Sequence, residues 1–88
     1  MRCLALLGVA ALIRKRKPAL RRRKLIGAAI RHYRLQAQLT QERLAEMVNL
    51  NPKYIGEVER GEKIISIEAL LRVSTAVRVR IGAFFDDV

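Results

Sequence analysis

The chain has 88 residues, a formal net charge of +10, one cysteine and one histidine. That length leaves room for one small domain with a three- to five-helix core and argues against an enzyme with a deep pocket. A single Cys and a single His exclude an internal disulfide and a Cys/His zinc site, and this composition is compatible with a reducing cytoplasm.

The excess positive charge points to a polyanionic partner, either nucleic acid or an anionic membrane surface. It is unevenly placed. Residues 1–24 hold nine Lys/Arg and no acid, whereas residues 25–88 hold nine Lys/Arg against eight acids. The high net charge therefore reports mostly the first 24 residues. These open with an apolar run over residues 3–13, too short for a bilayer span of about 20 residues, followed by the basic run of residues 14–17. A secretory signal would place its positive charges before the apolar run and a small-residue cleavage site after it. Three readings stand: a disordered or loosely helical extension, including one translated from a start codon set too far upstream; a basic arm on DNA phosphates; and an interfacial membrane anchor. Pro18 breaks any helix running through this segment, and the folded domain is expected over residues 25–88.

Five helices are predicted there. The first, over about 25–36, shows Ile26, Ala29, Ile30 and Tyr33 at helical spacing. His32 is expected on its exposed side. The second starts after Thr40, an N-cap followed by Glu42 in the first turn, with Leu39 and Leu44 as a hydrophobic staple. The same punctuation recurs twice. Asn51 caps the third helix, with Pro52 at its first position and Leu50 facing Ile55. Ser66 caps the fourth, with Ile65 facing Leu70, and this helix buries Leu70, Val73 and Val77. A short fifth helix at about 81–86 presents Ile81, Phe84 and Phe85. No stretch alternates as a strand would.

Residues 40–61 carry the functional signal. Ala45 is small enough for two helices to cross closely, and Asn49 tolerates the positive φ that a tight turn demands. Ile55 and Val58 point inward from the third helix, leaving Lys53, Tyr54 and Glu57 outward. Lysine can donate to guanine O6/N7 and glutamate can accept from cytosine N4. Tyr54 can bond a phosphate or pack on a thymine methyl. Gln41 opens the second helix, where its amide and the helix N-terminus can hold a phosphate. The competing interpretation is an ordinary αα-hairpin whose polar residues meet only water. Gly56, which weakens a helix by about 1 kcal/mol, either admits a close backbone or groove wall or is merely tolerated. No Gly-rich phosphate loop, catalytic triad or metal cluster occurs, so neither an enzyme nor a cofactor is expected.

The motifs T-Q-x-x-L-A at 40–45, I-x-x-x-E-R-G at 55–61 and S-I-E-x-L-L at 66–71 resemble the XRE (Cro/C1-type) helix-turn-helix family of phage repressors and Cro proteins. The resemblance spans about residues 25–88. It implies an all-α, five-helix DNA-binding domain, here with an N-terminal basic extension, that is usually dimeric on two-fold operators and serves in repressors, antitoxins or restriction–modification controllers. It implies that helix 52–60 reads the major groove of double-stranded DNA. Gln41 would touch backbone and an adjacent base. Pro52, Lys53 and Glu57 would face bases, with the Asn51 cap and Tyr54 beside them, and Arg60 and Lys63 would contact phosphates. Arg34 and Glu59 would form a partly buried ion pair. The chain departs from the family pattern at Asn49 and Arg78, where glycine is usual, and at Ile65, where proline is common. A homodimer through Val79, Ile81, Phe84, Phe85 and Val88 is expected. The alternative role is an antitoxin-like module that binds a partner protein.

Overall fold

The computed structural model describes residues 18–88, so the expectations for residues 3–13 and 14–17 lie outside the described residues. Among the described residues four α-helices follow one another, α1 over Pro18–Gln36, α2 over Gln41–Val48, α3 over Pro52–Glu59 and α4 over Ile67–Val77, and a 3-10 helix over Ile81–Phe85 comes after them. The all-α expectation holds, with two differences in detail. The fifth element is a 3-10 turn rather than an α-helix. The first helix begins seven residues before the expected 25. Pro18 occupies its first position, where a missing N–H leaves no hydrogen bond unmade, and the Ala, Leu, Arg and Lys that follow are strong helix formers.

The three N-caps read from the sequence are formed. Thr40 Oγ1 accepts from the Arg43 amide at 2.9 Å, Asn51 Oδ1 from the Lys53 amide at 2.8 Å and Ser66 Oγ from the Ala69 amide at 3.1 Å. The C-termini share a second device, a residue in the left-handed region. Gln38 (φ 62°) follows α1, Asn49 (φ 57°) follows α2 and Arg78 (φ 61°) follows α4. After α2 the Leu50 amide returns to the Ala45 carbonyl at 2.8 Å, and after α4 the Val79 amide returns to Ser74 at 3.1 Å. Arg78 therefore performs the glycine's role while bearing a side chain, which is strained for an L-residue. Arg78→Gly is expected to raise stability by about 1 kcal/mol in thermal melts; an unchanged or lower melting temperature would show that the arginine side chain contributes more than its backbone strain removes.

The core gathers one apolar face from each element. Ile30, Leu44, Ile55, Val58, Leu70, Val73 and Phe84 are fully enclosed. Phe84 meets Tyr33 edge-on, with ring centroids 5.5 Å apart. Phe85, its neighbour, is 38% exposed. Arg72 ties α4 to the end of α2 through a hydrogen bond from its Nη1 to the Val48 carbonyl, 3.1 Å. His32, expected outside, is half-buried and lies edge-on to Tyr33. No helix among the described residues is long and apolar enough to cross a membrane.

Candidate nucleic-acid interface

The outer face of α3 is positioned from behind by two contacts at its C-terminal end. The first is steric. Gly27 on α1 lies so close to α3 that a Cβ there would sit 2.2 Å from the Val58 carbonyl oxygen and 2.7 Å from that of Glu59. The second is ionic. Arg34 of α1 grips Glu59 with two parallel bonds, Nε to Oε2 at 2.7 Å and Nη2 to Oε1 at 3.1 Å. The two side chains are 6% and 2% exposed. The remaining arm of Arg34 donates from Nη1 to the Leu39 carbonyl at 2.8 Å, and Gln41 Nε2 donates to Glu59 Oε1 at 3.0 Å. The Arg34–Glu59 pair thus joins α1, the turn into α2, the first residue of α2 and the last residue of α3. The bidentate fork suits arginine and no other side chain.

At the front, α2 and α3 pack on each other, and Ala45 of α2 has no exposed surface. Ile55 and Val58 are buried against the core, which turns Lys53 to solvent. Asn51, Lys53, Tyr54, Glu57 and Lys63 line one shallow depression of about 250 Å³. Five of the residues singled out in the sequence therefore do come together.

Their environments differ from the outward-facing picture in specific ways. Lys53 is exposed. Tyr54 is half-buried, packed on the core, and its hydroxyl donates to the Ile64 carbonyl at 3.3 Å. It braces the loop after α3 and offers only part of its ring to a partner. The Glu57 side chain is 18% exposed and lies 3.5 Å from Lys63 Nζ. Gln41 is half-buried and held by Glu59. Arg60 is bonded to Glu62 at 2.6 and 3.3 Å. That hydrogen bond raises the Arg60 pKa above its ordinary value and holds the Glu62 carboxyl below the usual carboxylate range.

Gly56 acquires a concrete role. A Cβ there would meet Arg60 Nη1 at 3.1 Å and the Gln41 amide at 3.5 and 3.7 Å, so the absent side chain leaves space in which these two polar groups converge on the front of α3. Two positions were not picked out from the sequence as part of the site. Gly27 carried a readable signal, a glycine inside a run of good helix formers. Lys24, whose ammonium donates to the Arg60 carbonyl and whose methylenes cover Gly61, carried none beyond its charge. No cluster of three His, Cys, Asp or Glu suited to a metal occurs among the described residues.

Residues 30–84 match the helix-turn-helix family model. The chain is 32% identical over 59 residues to the control protein C.SmaI of Serratia marcescens, covering 67% of this chain and 70% of that protein. It is 34% identical over 59 residues to the control protein C.BamHI of Bacillus amyloliquefaciens, covering 66% and 73%. Among solved structures it superposes on the restriction-modification controller protein C.AhdI from Aeromonas hydrophila with a TM-score of 0.69 at 32% identity, covering 72% of this chain and 96% of that one. The clp gene regulator ClgR from Corynebacterium glutamicum gives a TM-score of 0.72 at 33% identity, covering 75% and 70%.

Proposed function

The chain belongs to the Cro/C1-type helix-turn-helix family, and from that membership we propose that it regulates transcription by placing α3 in the major groove of double-stranded DNA. The observation that supports this most is the combination on α3: a back face locked to the core and a front face that presents Lys53, in solvent, within one depression shared with Asn51, Glu57 and Lys63. In this reading Lys53 donates to guanine O6/N7. Glu57 exchanges Lys63 for a cytosine amine, and Lys63 then turns to a phosphate. Tyr54 keeps its hydrogen bond to Ile64 and lays its exposed ring edge on a thymine methyl. Pro52 has no donor and contributes shape only. The Gln41 amide, oriented by Glu59, shares a phosphate with the N-terminus of α2. Arg60 contacts the backbone by exchanging Glu62 for phosphate.

C.AhdI is a restriction-modification controller, and C.SmaI and C.BamHI are control proteins. The likeness to them favours a controller role over the antitoxin role for this chain. The protein acts as a homodimer on a two-fold operator. Phe84 is withdrawn into its own core, so the contact falls to Val79, Ile81, Phe85 and Val88, of which Phe85 and Val88 are 38% and 50% exposed. Sedimentation at micromolar concentration is expected to give twice the mass of one chain; a single-chain mass alone would remove the dimer.

The base-reading role is tested with one substitution on each side of the distinction between bases and backbone. Lys53→Ala should lower discrimination at one base pair by about 1–3 kcal/mol, while Arg60→Ala weakens operator and scrambled duplex alike. Equal losses on both duplexes for Lys53→Ala would sink the assignment.

A further inference from the structure

The first two turns of α1 carry Arg22 and Arg23, which form no ion pair among the described residues. Arg21, Arg22, Arg23 and Lys24 stand in sequence near the N-terminus of a helix that contains no acidic residue. Cations at that end oppose the helix dipole, and Arg21 and Lys24 repel across one turn. This segment is nevertheless docked. The Lys24 ammonium is bonded to the Arg60 carbonyl at the end of α3. Ala19, Arg22, Arg23 and Ile26 form one side of an open depression of about 410 Å³, and Ile64 forms the other. Ile64 follows Lys63, which lines the depression at the front of α3. Lys63 and Ile64, adjacent in the chain, each line one of the two depressions. Neither the Arg22 nor the Arg23 guanidinium has a carboxylate partner among the described residues, and Arg23 Nε is buried without a hydrogen-bond acceptor. Glu62 is taken by Arg60 at 2.6 Å and Glu57 faces Lys63 at 3.5 Å.

We propose that Arg22 and Arg23, together with the 60–64 loop, form a second contact track for DNA that binds backbone phosphates flanking the segment read by α3, without regard to sequence. The proposal rests on the reading of α3 as the DNA-facing helix. Its chemistry is that of guanidinium groups with no carboxylate partner among the described residues, and phosphate oxygens are acceptors that suit them. The track adds affinity and salt dependence and leaves base discrimination to α3.

The test compares the full chain with its R22A/R23A and R22K/R23K variants on an operator and a scrambled duplex across a potassium chloride series. The alanine pair should make the slope of log affinity against log salt shallower by about 2, with equal losses on the two duplexes. The lysine pair should restore the slope. Shortening the flanks of the duplex should weaken the wild type and leave the alanine pair unaffected. A slope unchanged in a folded R22A/R23A protein overturns the proposal, and R22Q/R23Q provides the same neutralisation should the alanine pair not fold. Binding to phosphatidylglycerol vesicles that is lost in the alanine pair, with the DNA slope intact, overturns it in favour of a lipid surface. The slope is read on each duplex separately, so a wild type that fails to prefer its operator counts against α3 as reader while the slope still decides this question.

Discussion

Arg34→Ala should lower the free energy of unfolding by about 3–5 kcal/mol, a large share of the roughly 5–15 kcal/mol available to a domain. The size follows from what is left behind. Glu59 is 2% exposed, and without Arg34 its carboxylate retains only the Gln41 amide as a partner. The Leu39 carbonyl also loses its donor. A buried anion stripped of its counter-ion is far more costly than a surface pair, which is typically worth under 1 kcal/mol. The native pair is not thereby a large net stabiliser, because desolvating both charges consumes most of their attraction. Replacing both residues should therefore be milder than replacing one. Arg34→Met combined with Glu59→Met is expected to recover most of the loss in urea unfolding, yet to bind DNA weakly, since Gln41 is then no longer held. A loss under 1 kcal/mol for Arg34→Ala would mean that water reaches the pair and that it does not organise the fold.

Gly27→Ala should destabilise by about 2 kcal/mol, although alanine is the better helix former. The helix gains about 1 kcal/mol. Against this, the added methyl would stand 2.2 Å from one backbone carbonyl oxygen and 2.7 Å from another. Backbone cannot swing aside as a side chain can, so α1 and the last turn of α3 must separate, at an overpacking cost of about 3 kcal/mol. Gly56→Ala provides the contrast. Its methyl meets only side-chain ends, the nearest being the exposed Arg60 guanidinium at 3.1 Å, so the propensity gain should survive and the melting temperature should hold or rise. Similar effects at the two glycines would contradict the close approach of α1 to α3.

The difference between these glycines shows where sequence reading stopped. Caps are local: Thr40, Asn51 and Ser66 each bond an amide two or three residues ahead, and their spacing is visible in the chain itself. The Arg34 and Glu59 pair joins residues 25 positions apart, and only the resemblance to the helix-turn-helix family pointed to it. The role of Gly27 is illegible in the sequence because a helical glycine does not reveal which backbone approaches it. Tyr54 was read as outward from helical periodicity, which gives the face but not the later loop that folds back to accept its hydroxyl through Ile64. The start of α1 at Pro18 lies before the expected one because proline, a breaker inside a helix, is well suited to the first helical position. At Arg78 the backbone adopts the left-handed turn although the residue is not glycine. Of the two phenylalanines, only packing could decide that Phe84 goes inside and Phe85 stays at the surface.

The proposed role requires that α3 read base sequence from a duplex. Selecting bound sites from a random pool of double-stranded DNA with the full chain tests this most directly. It should return an inverted repeat whose half-sites contain a guanine at the position that Lys53→Ala renders indifferent. Recovery of unenriched sequence, with Lys53→Ala binding the pool as the wild type does, would contradict it.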